Sequence, residues 1–504
     1  MNIKNRGCGV LLHITSLPGP YGIGEIGKEA LAFIDVLDEM GQKYWQFLPT
    51  NYPAQYNSPY DTDSAFAQNP LLLSIDSLIQ DGLLSHHDIK KVPEFPVEKV
   101  DYNAVKKWKK PILNKAVNNF LIQNNHKNDV QFKKFVKKNN FWLDKYAIYL
   151  VIQELQRNTN WFEWDKKYKN PTEATLDEVS DKNKSKIESV KVLQYLYYKQ
   201  WSVIREYSVK KNIRLIGDVP IYVSYNSADV WANQKLFRLN LDGSMKYQSG
   251  CPPDLWSETG QVWGHPTYDW DVHEKTNFTW WLERIKNLME FVDIIRIDHF
   301  NGFAKYWEVS AKDSDGLNGK WLKGKGEQLL NVAFKKLKGL NLIAEDLGEA
   351  WREAAVLRKR YEIPGMHLLQ FAFHKDNPFD MMEENMVAYT GTHDNDTLSG
   401  FYETIDKPTS KYLEEALIGE NSSKQLSDCS NDDINWLMIE YCLRSNAYMA
   451  IIQAQDILCL GKEARVNTPA TISEKNWAWR IDISKLTNDK IIKMRKIVKR
   501  TGRL

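Results

Sequence analysis

Apolar residues along this 504-residue chain gather into short runs, each broken by polar or glycine-rich positions. In the first part these are GVLLHI (Gly9–Ile14), YWQFLP (Tyr44–Pro49), IRLIGDVPIYV (Ile213–Val223) and FVDIIRIDHF (Phe291–Phe300). Later come LNLIAEDLG (Leu340–Gly348), MHLLQFAF (Met366–Phe373), MVAYTGTHDND (Met386–Asp396) and ARVNTPAT (Ala464–Thr471). Continuous apolar runs of this length suit strands buried on both faces of a parallel sheet. Amphipathic stretches lie between them. In IGKEALAFIDVLDEMGQ, Ile26, Ala30, Phe33, Ile34, Leu37 and Met40 form one stripe ahead of a terminating Gly41. WREAAVLRKRYEIPG ends at a Pro–Gly turn. Eight alternations of strand and helix predict an α/β fold, a (β/α)8 TIM barrel, in preference to a doubly wound open sheet with similar local patterns.

The spacing is uneven. From about 78 to 209 the chain is Lys/Asn-rich with helical periodicity, as in FWLDKYAIYLVIQELQ (Phe141–Gln156) and VLQYLYYKQWSVIREY (Val192–Tyr207). This reads as a helical insertion between the second and third strands. Residues 224–287 read as long loops, and 403–435 as a polar helical excursion. Insertions between a barrel strand and its helix lie on the C-terminal face, where barrel active sites are built. One catalytic domain over 1–504 is expected, with no separate C-terminal β-domain.

Composition narrows the function classes. The 67 basic and 65 acidic residues leave a net charge of +2, which removes the electrostatic case for nucleic acid or an anionic membrane as main partner. No apolar run approaches the ~20 residues of a membrane span. The N-terminus lacks a small-residue cleavage site, so a signal peptide is not expected. Five cysteines, odd in number and widely spaced, fit neither a disulfide framework nor a zinc site, and point to reduced thiols in the cytoplasm. Eighteen Trp and 24 Tyr are many, and several sit in polar, Gly/Pro-rich stretches where sugar rings could stack on them.

Four of the expected strands end in carboxylates: Asp218 in GDVP, Asp298 in RIDHF, Glu345 in AEDLG and Asp394 in THDND. One such acid is commonly a helix cap. Four on one rim suggest a site, because acids at the ends of apolar strands are costly to bury without partners. Glycosidic cleavage needs one carboxylate as nucleophile and one carboxylic acid to protonate the leaving oxygen. Arg296, two residues before Asp298, points the same way along a strand and would offset its charge. His299 and His393 each adjoin a candidate acid and could donate hydrogen bonds to sugar hydroxyls. Crowding by Asp298 and Asp394 would keep Glu345 protonated near neutral pH.

RIDHF, AEDLG and THDND, in that order, resemble the three catalytic segments of the α-amylase clan, and their surroundings resemble the amylomaltase (4-alpha-glucanotransferase, disproportionating enzyme) family. The resemblance runs from GVLLHITSLPGPYGIG through SPYDTDSAFAQNPLL, IGDVPIYV and GCPPDLWSETGQVWGHPTYDW to NWAWRID. It implies that Asp298 is the nucleophile, Glu345 the general acid/base and Asp394 a carboxylate that binds sugar hydroxyls. It further implies supporting roles for Asp218, Arg296, His299 and His393, stacking on sugar by Tyr60, and a place for Trp263 in a loop covering the acceptor side. The implied activity is retaining transfer of an α-1,4-glucan segment between maltooligosaccharides or other α-1,4-glucans. It calls for no cofactor, no metal and no obligate protein partner.

Two details stand apart. RVNTPAT has Ala470 where the resemblance leads one to expect glycine. GIGEIG (Gly22–Gly27) mimics the dinucleotide motif G-x-G-x-x-G but lacks the acid ~20 residues on that the motif requires; it reads better as a sugar-facing loop after the first strand.

Overall fold

The computed structural model describes residues 6–54, 56–123, 129–254, 257–373, 382–419 and 425–504. Their strands are β1 (Gly7–Leu11), β2 (Tyr44–Gln46), β3 (Arg214–Pro220), β4 (Tyr247–Cys251), β5 (Gln261–Pro266) and β6 (Ile294–Asp298). They continue with β7 (Lys305–Ser310), β8 (Lys320–Lys323), β9 (Leu342–Ala344), β10 (Gly365–Leu368), β11 (Met386–Tyr389) and β12 (Met449–Gln453).

Eight of them form one sheet in the order β10-β11-β12-β1-β2-β3-β6-β9, and each paired neighbour is parallel. The ring returns on itself where the N–H of Ala344 donates to the carbonyl of Pro364, just before β10, at 2.9 Å. This is the expected (β/α)8 barrel. Alternate residues of each strand point inward: Leu11, Tyr44, Ile216, Ile294, Ile343, Met366, Val387 and Met449 belong to one buried cluster drawn from all eight strands. Their neighbours, such as Val10, Trp45, Leu215 and Ile295, are buried against the surrounding layer. Burial on both faces is why these strands read as unbroken apolar runs.

Seven of the eight apolar runs contain barrel strands; the last does not. Ala464–Thr471 is irregular, with Pro469 and a left-handed Ala470 (φ 57°) interrupting it. The eighth barrel strand is β12, MAIIQ, which pairs with both β1 and β11. Its apolar run passes directly into the short helix Ala454–Ile457, so the segment carries no break that marks it as a strand.

The amphipathic stripe around Phe33 forms the helix Lys28–Glu39, which buries Ala30, Phe33, Ile34 and Leu37. Gly41 follows at φ 75°, in the left-handed region where helices commonly stop. In GIGEIG, a Cβ on Gly24 would come within 1.8 Å of the Ile14 carbonyl oxygen. That glycine permits close packing of the loop on the end of β1.

Between β2 and β3 the chain is largely helical, with long helices at Tyr102–Gln123, Val130–Gln156 and Lys184–Lys210. Between β3 and β9 stands a second, antiparallel sheet in the order β5-β4-β7-β8. Two of its strands, β4 and β5, lie in 224–287, which the sequence pattern presents as loops. YQSGC and QVWGHP are short and interrupted by Gly or Pro, and β4 also pairs with the distant β7, Tyr247 opposite Ser310. Local pattern does not reveal such pairing. Residues 255–256 of this stretch, 124–128 of the helical one and 420–424 of the third lie outside the described residues. Among the described residues no helix is long and apolar enough to cross a membrane.

Candidate active site

The inward-facing alternation that fills the barrel also builds its mouth. On β6, Ile294 packs in the interior, so Arg296 and Asp298 follow on the same face, two and four residues on. The same step of two leads from Ile216 to Asp218 on β3 and from Ile343 to Glu345 at the end of β9. Tyr60 and the His393–Asp394 pair come from the loops that follow β2 and β11.

These side chains form one connected network. Arg296, 3% exposed, donates through Nη1 to Asp218 Oδ2 at 2.5 Å and to Asp298 Oδ1 at 3.0 Å. Asp218 Oδ2 also accepts from the Tyr60 hydroxyl at 2.8 Å. That hydroxyl lies 3.1 Å from Nδ1 of His393, whose ring stacks on Tyr60 with centroids 4.7 Å apart. On its other side, His393 Nε2 meets Asp394 Oδ2 at 3.3 Å. Glu345 joins through its Oε2, which accepts the backbone N–H of His299. Trp263, on β5, packs edge-on against the His299 ring with centroids 4.9 Å apart. All nine residues singled out from the sequence therefore meet at the C-terminal end of the barrel.

Their environments separate the acids electrically. Burial, and secondly the charge of Asp298, push the Glu345 carboxyl up to about 8 against the pull of Arg296. Burial is thus the larger cause, where the sequence suggested crowding by charges. Asp394 is the opposite case. Burial raises it, but the His393 charge, hydrogen bonds from His393 and Asn467, and Arg296 bring it down to about 2. For His393 itself, burial lowers the pKa and Asp394 more than restores it, leaving it above its ordinary value. His299 has no comparable partner, and burial takes it down to about 4. Its backbone is left-handed, φ 50°, a conformation that costs a non-glycine residue on the order of 1–3 kcal/mol. That strain aims its N–H at Glu345.

Four further residues complete the rim and escaped the sequence reading. Asn467 donates to Asp394 Oδ1 at 2.6 Å, and Arg465 donates to the Asp394 carbonyl at 2.6 Å. Trp477 lies 5.7 Å, centroid to centroid, from both Tyr60 and His393. His13 is half-buried, and desolvation and the His393 charge lower its pKa to about 3. His13 had a legible signal: it stands two residues after the interior Leu11, the step that gives Asp218 and Glu345. Asn467 and Trp477 lie in irregular chain, where no periodicity marks them.

A carboxylate held by an arginine beside a carboxyl that keeps its proton to about pH 8 is the equipment of double displacement at an acetal carbon. Among the described residues no group of three or more His, Cys, Asp and Glu side chains is arranged to hold a metal ion.

Comparison with known proteins agrees with this chemistry. Residues 12–486 match a family model described as 4-alpha-glucanotransferase. The chain is 40% identical over 499 residues to a 4-alpha-glucanotransferase of Clostridium butyricum, covering 98% of this chain and 100% of that one. It is also 40% identical over 490 residues to the chloroplastic/amyloplastic 4-alpha-glucanotransferase of Solanum tuberosum, covering 95% and 83% respectively. Its fold superposes on the amylomaltase from Streptococcus agalactiae in complex with acarbose with a TM-score of 0.92, at 34% identity over 99% of this chain and 100% of that one. The amylomaltase from Corynebacterium glutamicum shares the fold, with a TM-score of 0.80 at 16% identity, covering 98% and 75%.

Proposed function

The chain belongs to the 4-alpha-glucanotransferase family, and from that premise we propose how its clustered side chains carry out the transfer. Asp298 attacks the anomeric carbon of the sugar at the cleavage point as Glu345 gives its proton to the departing glycosidic oxygen. The α-bond breaks, a β-linked glycosyl ester forms on Asp298, and the reducing-side fragment leaves with the proton. Glu345, now ionised, takes the proton from the 4-hydroxyl of an incoming glucan or glucose. That oxygen attacks the ester carbon, restores an α-1,4 bond and frees Asp298. Two inversions give net retention.

The observation that carries this reading is the contrast between Asp298, bonded to Arg296, and Glu345, held protonated to about pH 8. One acid is equipped to attack and the other to donate. Asp394, drawn down to about 2, serves as an anion that binds hydroxyls of the reacting sugar. Tyr60 and Trp477 offer ring faces beside it. Asp218, bonded to both Arg296 and Tyr60, holds those two in position.

Transfer requires that a sugar hydroxyl outcompete water for the ester. Trp263 over His299 supports that preference, since an aromatic platform raises the local concentration of a placed acceptor and excludes water. Maltooligosaccharides and longer α-1,4-glucans are the substrates on this reading. Acarbose, the ligand in the S. agalactiae complex, would occupy the cleft between Tyr60 and Trp263. The five cysteines are unpaired, which supports work in the reducing cytoplasm.

Incubation with maltotriose alone tests the reading. Longer maltooligosaccharides and glucose should appear without net gain in reducing ends. Rising reducing ends without longer products would make the protein a hydrolase.

A further inference from the structure

A cavity of about 800 Å³ lies between the helix Val130–Gln156, the segment around Phe66, and the helices Ala228–Ala232 and Thr279–Leu288. None of the nine clustered residues lines it. Its volume falls in the range of small-molecule sites. We propose that this cavity is a second binding site for an α-linked glucose chain, held on the ring surfaces of Phe141 and Trp280, which the buried Phe66 props from behind, and separate from the catalytic cleft. The inference rests on α-1,4-glucan being the substrate class.

The lining has the composition a glucose ring needs, with flat aromatic faces for its C–H surfaces and polar groups for its rim of hydroxyls. Phe66 is the hub. It stacks on Trp142 (6.1 Å, 12°) and meets Phe141 and Trp280 edge-on at 5.4 and 6.0 Å. Phe141 is 39% exposed, and Trp280 is half-buried, so both still have ring surface to offer. The charged side chains on the wall are Lys145 and Lys235 against Glu173, Asp229 and Glu283. With no cationic excess, the wall suits a neutral sugar better than a phosphorylated one.

The cavity also shares chain with the catalytic cleft. Phe66 lies six residues after Tyr60. Asp229, at the start of the helix following β3, accepts the Ala65 N–H at 2.7 Å and the Trp280 indole N–H at 3.3 Å. A glucan bound here therefore sits on the segments that carry Tyr60 and follow Asp218. The helical insertion supplies the opposite wall, so it serves to hold a long substrate beside the cleft.

Calorimetric titration of maltotriose into the intact Asp298→Asn protein tests this, since chemistry is then switched off. Two molecules should bind per chain, and maltotriose should slow hydrogen exchange in 141–146 and 228–236 as well as around 393–394. Phe141→Ala in that background should weaken the second site at least tenfold and leave the first unchanged. Asn170→Trp, which fills the mouth from an exposed position, should abolish it. Binding of one molecule with protection confined to the cleft overturns the second site alone, as does a second site that neither variant alters. Failure of maltotriose to bind anywhere overturns both this inference and the proposed function.

Discussion

The backbone N–H of His299 donates to Oε2 of the Glu345 carboxyl, so the residue that follows the proposed nucleophile also grips the proposed acid. Strands β6 and β9 are neighbours in the barrel, with Ile297 opposite Ala344. One register therefore sets the position of both carboxyls, and the left-handed turn at His299 locks it.

Asp298→Asn keeps the size and hydrogen-bonding capacity of the side chain but removes the attacking anion. Transfer should fall by several orders of magnitude, with the melting temperature and maltotriose affinity nearly unchanged. Near-normal turnover would remove Asp298 from the role.

Glu345 must be protonated for the first step, and its carboxyl is pushed up to about 8 from an ordinary 4.5. The rate of glycosyl-enzyme formation should therefore fall as pH rises through about 8. The same shift affects stability. Between pH 4.5 and 8 the unfolded chain releases this proton while the folded chain retains it, so folding loses ground as pH rises. Glu345→Gln should raise the melting temperature at pH 8, with a gain that vanishes near pH 4.5. A pH-independent difference would show that Glu345 does not carry the shift.

His393 is raised above its ordinary 6.5 by Asp394 despite burial. Its charged contribution is complete below about 6.5 and is lost as pH climbs through the folded value. His393→Gln should thus lower the melting temperature more at pH 6 than at pH 9. Equal losses would separate the imidazolium from the carboxylate.

Asn467 holds Asp394 Oδ1 at 2.6 Å. Asn467→Ala leaves that oxygen to water, since the Asp394 side chain is 45% exposed, at the net cost of one hydrogen bond, about 0.5–1.5 kcal/mol, or roughly two- to twelvefold in kcat/KM. Steady-state kinetics on maltotriose check this; a change under twofold would mean Asp394 needs no such anchor.

Ala470 occupies φ 57°, where a Cβ costs about 1–2 kcal/mol. Glycine relieves that strain and adds flexibility to the unfolded chain, worth about 0.5–1 kcal/mol the other way. Ala470→Gly should raise the urea midpoint slightly or leave it unchanged. A clear fall would show that the surrounding turn prefers the methyl group.

Much of this was legible because one alternation governs both core and site. Ile294, Arg296 and Asp298 share a face, as do Ile216 with Asp218 and Ile343 with Glu345, and strand pattern reports such faces directly. What stayed hidden depends on distant chain. The strand β12 merges with the helix after it, while β4 and β5 take shape only on pairing with each other and with β7. Asn467 and Trp477 reach the rim through irregular backbone that no period describes. The cause of the Glu345 shift was hidden too, because burial is a property of the assembled mouth.

The central claim is that Asp298 carries the sugar between donor and acceptor. Glu345→Gln treated with α-maltotriosyl fluoride tests it most directly. Fluoride leaves without a proton, whereas release of the ester needs the missing base, so the intermediate should accumulate. Mass spectrometry of a peptic digest should find one maltotriosyl unit on the peptide containing Asp298. A label on Asp218 or Asp394, or fluoride release with no covalent adduct at any time, would contradict the account.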